Sequence, residues 1–249
     1  MDFVEILEHH LLDHKIARLF SVGQHSFYLT THNLMMAIAS ALLLGLLLVA
    51  RRQSGAVSTG WANLFEVFIV YIRDEIVRPN LGEAGDRYLP YFLTLFFFIL
   101  LCNLLGLVPF GATATGNIAV TAAMALTTFL MINIAGVREL GFLHYMQTYV
   151  PPGLPFWLVP LMFVIEILGL FTKSFALCIR LFANMIAGHI VILAFLGLIF
   201  IFHSVFIAPI SIAAAVGLGL LELFVAFLQA YVFTLLTAVF VGGAVNPQH

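Results

Sequence analysis

Between Arg87 and Arg138 the chain runs for fifty residues, Tyr88 to Val137, without one Asp, Glu, Lys or Arg. A soluble domain does not carry such a stretch, because about a quarter of its residues are charged. Here only 9% are charged, 63% are hydrophobic and the mean hydropathy is +1.11. The expected fold class is therefore an all-α polytopic membrane protein. Most acids and bases fall within 1–18, 51–87 and 138–139, so the net charge of -2 points to no class of partner. Cys102 and Cys178 both sit in apolar runs and read as reduced packing residues rather than a disulfide.

A bilayer core of about 30 Å takes roughly 17–25 helical residues. Residues 34–50 are charge-free, stop at Arg51-Arg52, and read as a first span. The fifty-residue run is too long for one crossing. Pro109 and "FGATATGN" divide it into spans at 89–108 and 117–137. Between the first two spans, 58–80 mixes Phe, Ile and Val with Glu66, Arg73, Asp74, Glu75 and Arg78. That mixture suits an amphipathic helix lying in the membrane interface. Two long runs follow, 156–201 and 206–243. As one helix the first would be about 69 Å long, more than twice the hydrocarbon thickness, so it should be strongly tilted or bent along a surface. The whole chain, 1–249, reads as a single membrane domain of about five embedded helices plus the interfacial one.

The start, "MDFVEILEHHLLDHKIARLF", carries Asp2 and Glu5 where a signal peptide has basic residues, and reads as a short surface segment. His9, His10 and His14 have no cysteine or second ligand cluster near them and read as solvated, so no metal is expected. Arg51, Arg52, Arg73, Arg78 and Arg87 lie on one side of the second span, and Arg138 follows the third. The positive-inside rule puts those segments in the cytoplasm, with the N-terminus outside and the C-terminus inside.

The polar residues inside the long runs are the informative ones. Glu166, Lys173 and Arg180 are spaced by seven, which drifts only about 20° per step around a helix. Asn184 returns to the same direction, whereas His189 points to the opposite side. The last run adds Glu222 and Gln229 on one face. The two runs should pair as an antiparallel hairpin turning near 203–206. Arg180 and Gln229 are then equidistant from position 205 to within one residue, and so are His189 and Glu222. One polar pair should sit near mid-membrane and one titratable pair nearer the outer side. A central membrane Arg costs at least roughly 2.5–3.5 kcal/mol, and such residues are functional by default. Glu166 has Lys173 as a salt-bridge candidate, and Lys173 can also snorkel to the inner surface. Asn103, Asn117 and Asn133 read as interhelical hydrogen-bonding residues. Arg180 has no acid one turn away on its own run, which suggests a carboxylate supplied by another subunit.

At "SFALCIRLFANMIAGHIVI" (174–192) and "LLELFVAFLQAYVFTLLTAVFV" (220–241) the chain resembles the a subunit of F-type ATP synthases. "LLCNLLGLVPF" (100–110), with Asn103, and "VPLMFVIEILGLFTKSFALCIRLFANM" (159–185) extend the resemblance over nearly the whole chain. The resemblance implies a proton-translocating stator subunit with two offset half-channels, packed against a rotating c-ring. It places the stator arginine on Arg180, facing the ring carboxylates. The proton path falls on Glu222 and His189 (outer side), Glu166 (inner side), Asn184 and Gln229, with Lys173 and Asn103 as minor candidates. In this chain the histidine is on the arginine helix and the acid on the last helix, an exchange that still allows a proton relay. Implied partners are the c-ring, the peripheral-stalk b subunits, the rest of the F-type ATP synthase and the lipid bilayer. No cofactor and no nucleic acid are implied. The implied place is an energy-transducing membrane, and the lack of a transit peptide favours a bacterial inner membrane.

A cytochrome b-type electron-transfer subunit is the rival. His189 and His203 are fourteen apart, as two stacked haems would require, but no second run carries a matching pair. A secondary transporter would show internal repeats, and none appear. No G-x-x-x-x-G-K-[ST] loop is present, so nucleotide chemistry belongs to partner subunits.

Overall fold

The structure, a computed structural model, describes residues 15–22, 25–52, 61–108, 113–149, 155–202 and 207–246. The expected turn at 203–206, Pro109, the N-terminal histidines His9, His10 and His14, and the haem candidate His203 lie outside them.

Five stretches among the described residues are long and apolar enough to cross a membrane: Thr31–Leu48, Phe65–Leu107, Ile118–Leu140, Val159–Ile199 and Ala208–Val245. The helices that hold them begin and end where local chemistry dictates. Helix α1 (Thr31–Arg52) runs out at its two arginines. Helix α2 (Trp61–Tyr71) passes through a π-helical segment, Ile72–Val77, into the short α3 (Arg78–Leu81). Gly82 then adopts φ 63, a left-handed conformation that glycine reaches without a Cβ clash, and the chain turns into α4 (Gly85–Leu107). The apolar stretch from Phe65 is therefore two helices, and the segment expected at 58–80 is its own element. Arg73 and Arg78 pair with Asp74 at 2.9 and 3.4 Å, and Arg78 reaches Asp86 at 3.1 Å.

Asn117 caps α5 (Ile118–Leu140), its Oδ1 accepting the Ala119 N–H at 2.9 Å. That replaces the interhelical role expected of it. Gly141, at φ 80, separates α5 from α6 (Phe142–Thr148). In α7 (Val159–Phe202) Pro160 lies in the first turn, where a missing N–H costs no helical bond. Its 44 residues span about 66 Å. Helix α8 (Ile207–Val245) follows. Ahead of the helices, β1 (Lys15–Val22) and β2 (His25–Thr30) form an antiparallel hairpin, paired from Val22↔His25 to Lys15↔Thr30 with two register shifts. The sequence reading, a surface segment, missed it.

By contacts the chain forms two compact units. The first holds Met1–Leu46, Phe97–Thr121 and Arg180–Ala230. Buried within it are Ile99 and Cys102 of α4, Leu181 and Met185 of α7, and Ala226 and Ala230 of α8. Asn103, fully buried, ties this unit together: its Nδ2 donates to the Ala226 carbonyl at 3.3 Å and its Oδ1 accepts the Thr115 hydroxyl at 2.7 Å. This is the interhelical bonding expected of Asn103.

The second unit holds Leu47–Phe96, Ala122–Ile179 and Tyr231–His249. Here Arg87 and Tyr88 share the Glu139 carboxylate at 2.7 and 2.8 Å. The Tyr71 and Tyr231 rings meet at 6.2 Å. A Cβ on Gly242 of α8 would run into the Asn80 carbonyl of α3. Asn133 accepts the Tyr145 hydroxyl at 3.4 Å, joining α5 to α6. Cys102 and Cys178 are both buried and outside any disulfide, one in each unit, as their apolar settings implied.

Candidate functional site

In the first unit α7 and α8 run antiparallel and bring His189 and Glu222 together. His189 Nδ1 lies 2.7 Å from Glu222 Oε1 and 3.1 Å from the Met185 carbonyl, one turn back. Nε2 lies 2.7 Å from Thr113 Oγ1 and 3.2 Å from the Gly106 carbonyl. Glu222 is only 5% exposed, and its second oxygen, Oε2, is buried with no hydrogen-bond partner among the described residues. Two glycines make this packing possible. A Cβ on Gly188 would sit 2.7 Å from Glu222 Oε1, and one on Gly106 would sit 2.8 Å from Thr113 Cβ. An acid and an imidazole held at this distance can exchange a proton, and a carboxylate with one oxygen bonded and one free can take it on one side and release it from the other.

One turn before Met185 the chemistry changes. Arg180 is exposed, and among the described residues it has neither an ion pair nor a hydrogen bond. Asn184, also exposed, donates through Nδ2 to Gln229 Oε1 at 2.8 Å. The sequence argument had set Gln229 level with Arg180. It bonds the residue one turn further along the same face, so Gln229 orders Asn184 and leaves the guanidinium free. Small side chains flank Arg180 on its exposed stripe, with Ala176 and Ala183 open on either side of it. A fixed cation on an outward face lined by small residues can accept a closely approaching partner surface.

The second unit holds the other two members of the stripe. Glu166 and Lys173 line one cavity of about 360 Å³ together with Tyr145, Thr148, Tyr149 and Phe240. The ion pair expected between Glu166 and Lys173 does not form: seven residues separate them, whereas four would bring them together, and Lys173 Nζ lies 5.7 Å over the Phe240 ring instead. Tyr149 donates to the Tyr145 hydroxyl at 2.6 Å. Burial, reinforced by that bond, pushes the Tyr149 hydroxyl above its ordinary value, so it stays protonated.

The sequence reading named His189, Glu222, Arg180, Asn184, Gln229, Glu166, Lys173 and Asn103. The structure brings His189 with Glu222, Asn184 with Gln229, and Glu166 with Lys173 around a cavity. The sequence reading missed Thr113, Gly106, Gly188, Tyr145 and Tyr149. Gly188, directly before the histidine, was the one readable signal.

Helices long and apolar enough to cross a membrane, a buried acid bonded to an imidazole, and an exposed arginine with no partner among the described residues fit the class of ion-translocating membrane subunits. Comparison with known proteins narrows it. The profile of the family "ATP synthase A chain" matches residues 33–242. ATP synthase subunit a of Chloroherpeton thalassium is 48% identical over 232 residues, covering 90% of this chain and 68% of that protein. The subunit a of Myxococcus xanthus is also 48% identical, covering 89% of this chain and 74% of the relative. That of an Anaeromyxobacter species is 47% identical, covering 95% and 59%. The chain belongs to the ATP synthase A chain family. It is a multi-pass membrane protein, the proton-translocating stator subunit of an F-type ATP synthase, and it assembles with the rest of that complex. The cytochrome reading is not favoured: both His189 ring nitrogens are already engaged.

Proposed function

We propose that the chain provides two offset half-channels and uses Arg180 to deprotonate and guard the carboxylates of a rotating c-ring. The observation that carries this reading is that Arg180 is exposed on a membrane helix with no partner among the described residues. An Arg at the centre of a span costs roughly 2.5–3.5 kcal/mol or more, and a carboxylate brought by a partner offsets that cost. Arginine stays protonated, so it cannot pass protons on. It stabilises a deprotonated ring carboxylate, and it repels a proton moving straight from one half-channel to the other.

Glu222 and His189 serve the outer half-channel and Glu166 the inner one, where the cavity beside Lys173 gives it room for water. Asn184 and Gln229 form a polar rest next to Arg180. A proton is taken up at the Glu222/His189 pair, neutralises a ring carboxylate, travels with the ring and leaves beside Glu166. ATP hydrolysis reverses the sequence. The chain makes and breaks no bond to phosphate; it is the non-catalytic ion-translocating partner of the nucleotide-binding subunits. The α7–α8 pair lies tilted across the membrane against the ring, α2 and α3 lie in the interface, and peripheral-stalk b subunits hold the chain still. The N-terminus faces outward and the C-terminus faces the cytoplasm, in a bacterial inner membrane.

The test is ATP-driven proton pumping in vesicles carrying the whole complex with Arg180→Ala, read beside the passive leak after the soluble head is removed. Pumping is expected to be lost while the complex still assembles, with a raised leak. Pumping near the unmodified level would remove Arg180 from the gate.

A further inference from the structure

Both ring nitrogens of His189 face acceptors, and only one of its four neighbours can donate without first taking up a proton. The Met185 and Gly106 carbonyls accept hydrogen bonds and cannot give them. Glu222 accepts when ionised. The Thr113 hydroxyl, 2.7 Å from Nε2, can do either.

Consider the two protonation states. When the ring is neutral and its Nδ1–H points to the Glu222 carboxylate, Nε2 is a bare lone pair. The Thr113 hydroxyl is then the only donor among the described residues that reaches it. When the ring is charged, Nε2–H has the Gly106 carbonyl at 3.2 Å as well as Thr113 Oγ1. The other neutral tautomer, with Nδ1 bare, would face the Met185 carbonyl and Glu222 and needs a protonated acid. So the charged ring is satisfied without Thr113, and the productive neutral ring is not.

We infer that Thr113 is a positioning residue of the outer half-channel: its reversible hydroxyl holds His189 in the tautomer that presents Nδ1–H to Glu222 and lets the ring cycle between charged and neutral forms. The inference rests on the reading that His189 and Glu222 carry the proton. No new bond chemistry is involved. The incoming proton adds to Nε2 as the Thr113 hydroxyl turns from donor to acceptor, and on its departure the hydroxyl turns back.

The setting supports a specific effect on pH dependence. The charged or titratable side chains described in this unit are Tyr28 and His32 before or at the start of α1, Cys102 on α4, Arg180 and His189 on α7, and Glu222 on α8. Of these, only Glu222 hydrogen-bonds His189. The segments facing the ring from α4 and from Thr113 contribute a carbonyl and a hydroxyl, neither of which titrates.

The experiment measures proton translocation as a function of pH in vesicles carrying the whole complex, for Thr113→Val, Thr113→Ser and, as a reference, Glu222→Gln. Thr113→Val keeps the shape and removes the donor, which disfavours the neutral ring alone. The pH midpoint for translocation is expected to rise by about one unit, with about a tenfold loss below it, where the neutral ring is scarce, and recovery above it. Thr113→Ser restores both, because it restores the hydroxyl. Should Thr113→Val not assemble, Thr113→Ala carries the same expectation. An unmoved profile in the hydroxyl-free variant, with Glu222→Gln inactive, overturns the role of Thr113 and leaves the proton path intact. A serine variant that behaves like valine overturns it too, by assigning the effect to packing. A fully active Glu222→Gln removes the parent reading, and this inference falls with it.

Discussion

Gly188→Ala puts the smallest possible side chain against the carboxylate of the His189–Glu222 pair in the first unit. In an unhindered helix this substitution is favourable by about 0.8–1 kcal/mol. Here the added Cβ would lie 2.7 Å from Glu222 Oε1 and 2.8 Å from Cδ, closer than nonbonded carbon and oxygen approach. Glu222 is buried and its Oε1 is bonded to His189, so it cannot step aside without giving up that bond. Losing a hydrogen bond between a charged and a polar group costs about 1.5–3 kcal/mol, and overpacking a close-packed site adds about 1–3 kcal/mol. Against the helix gain, the net is a destabilisation of about 2–5 kcal/mol. If the lost bond appears in the proton-transfer barrier, proton conduction falls roughly ten- to hundredfold. The assay is passive proton conduction through the complex after removal of the soluble head, with thermal disassembly of the intact complex read in parallel. Gly169→Ala is the control, since a Cβ there meets nothing within 4 Å. Pairing Gly188→Ala with Glu222→Asp, one methylene shorter, should recover part of the conduction. Gly188→Ala conducting at the unmodified rate would refute the claim that the approach of Glu222 to α7 is needed for proton transfer.

Asn103→Leu keeps the volume but leaves the Thr115 hydroxyl buried without its acceptor; the complex is expected to lose about 1–3 kcal/mol, read as earlier thermal disassembly, and unchanged disassembly would show that the buried amide is dispensable. Gly242→Ala meets backbone rather than a movable side chain, the Asn80 carbonyl, so α3 must shift; about 1–3 kcal/mol of destabilisation and faster proteolysis between α2 and α4 are expected, and resistance equal to the unmodified chain would count against that packing.

The helix positions were legible because hydrocarbon admits few alternatives. Arg51-Arg52, Pro109 and Arg138 punctuate the charge-free runs, and the helices follow them within a few residues. The β-hairpin had a signal too: Lys15–Val22 and His25–Thr30 flank Gly23-Gln24, a two-residue spacing that suits a hairpin, but the nearby acids and histidines drew attention to a surface segment. Equidistance from position 205 found the His189–Glu222 pair because a buried acid and an imidazole at one level have few other partners. The same argument stopped a turn short for Gln229. Arg180 and Asn184 share a face one turn apart, and depth alone does not choose between them. Thr113, Tyr145 and Tyr149 were invisible, because hydroxyl residues in loops and short helices are common and their meaning comes only from what folds against them.

The two kinds of charge in this chain are handled in opposite ways, and the difference follows from whether the charge can be lost. His189 and Glu222 are of residue types whose charge can be gained or lost, so each needs a neighbour that tolerates two states. Glu222 is buried and His189 half-buried; they are bonded to each other and set among carbonyls and one reversible hydroxyl. Arg180 does not titrate, and a second fixed neighbour of opposite sign inside the chain would neutralise it permanently. Among the described residues it has no such neighbour: the polar residues nearest it along its face, Asn184 and Gln229, bond to each other. On the proposed reading, a Gln229 or a carboxylate of α8 committed to Arg180 would have to be displaced before a ring carboxylate could ionise opposite it. An exposed guanidinium removes that step, and its attraction is then available only while a carboxylate is opposite. A stator proposed to hold each of many passing anions briefly, and then release it, is served by a cation that no other described residue holds.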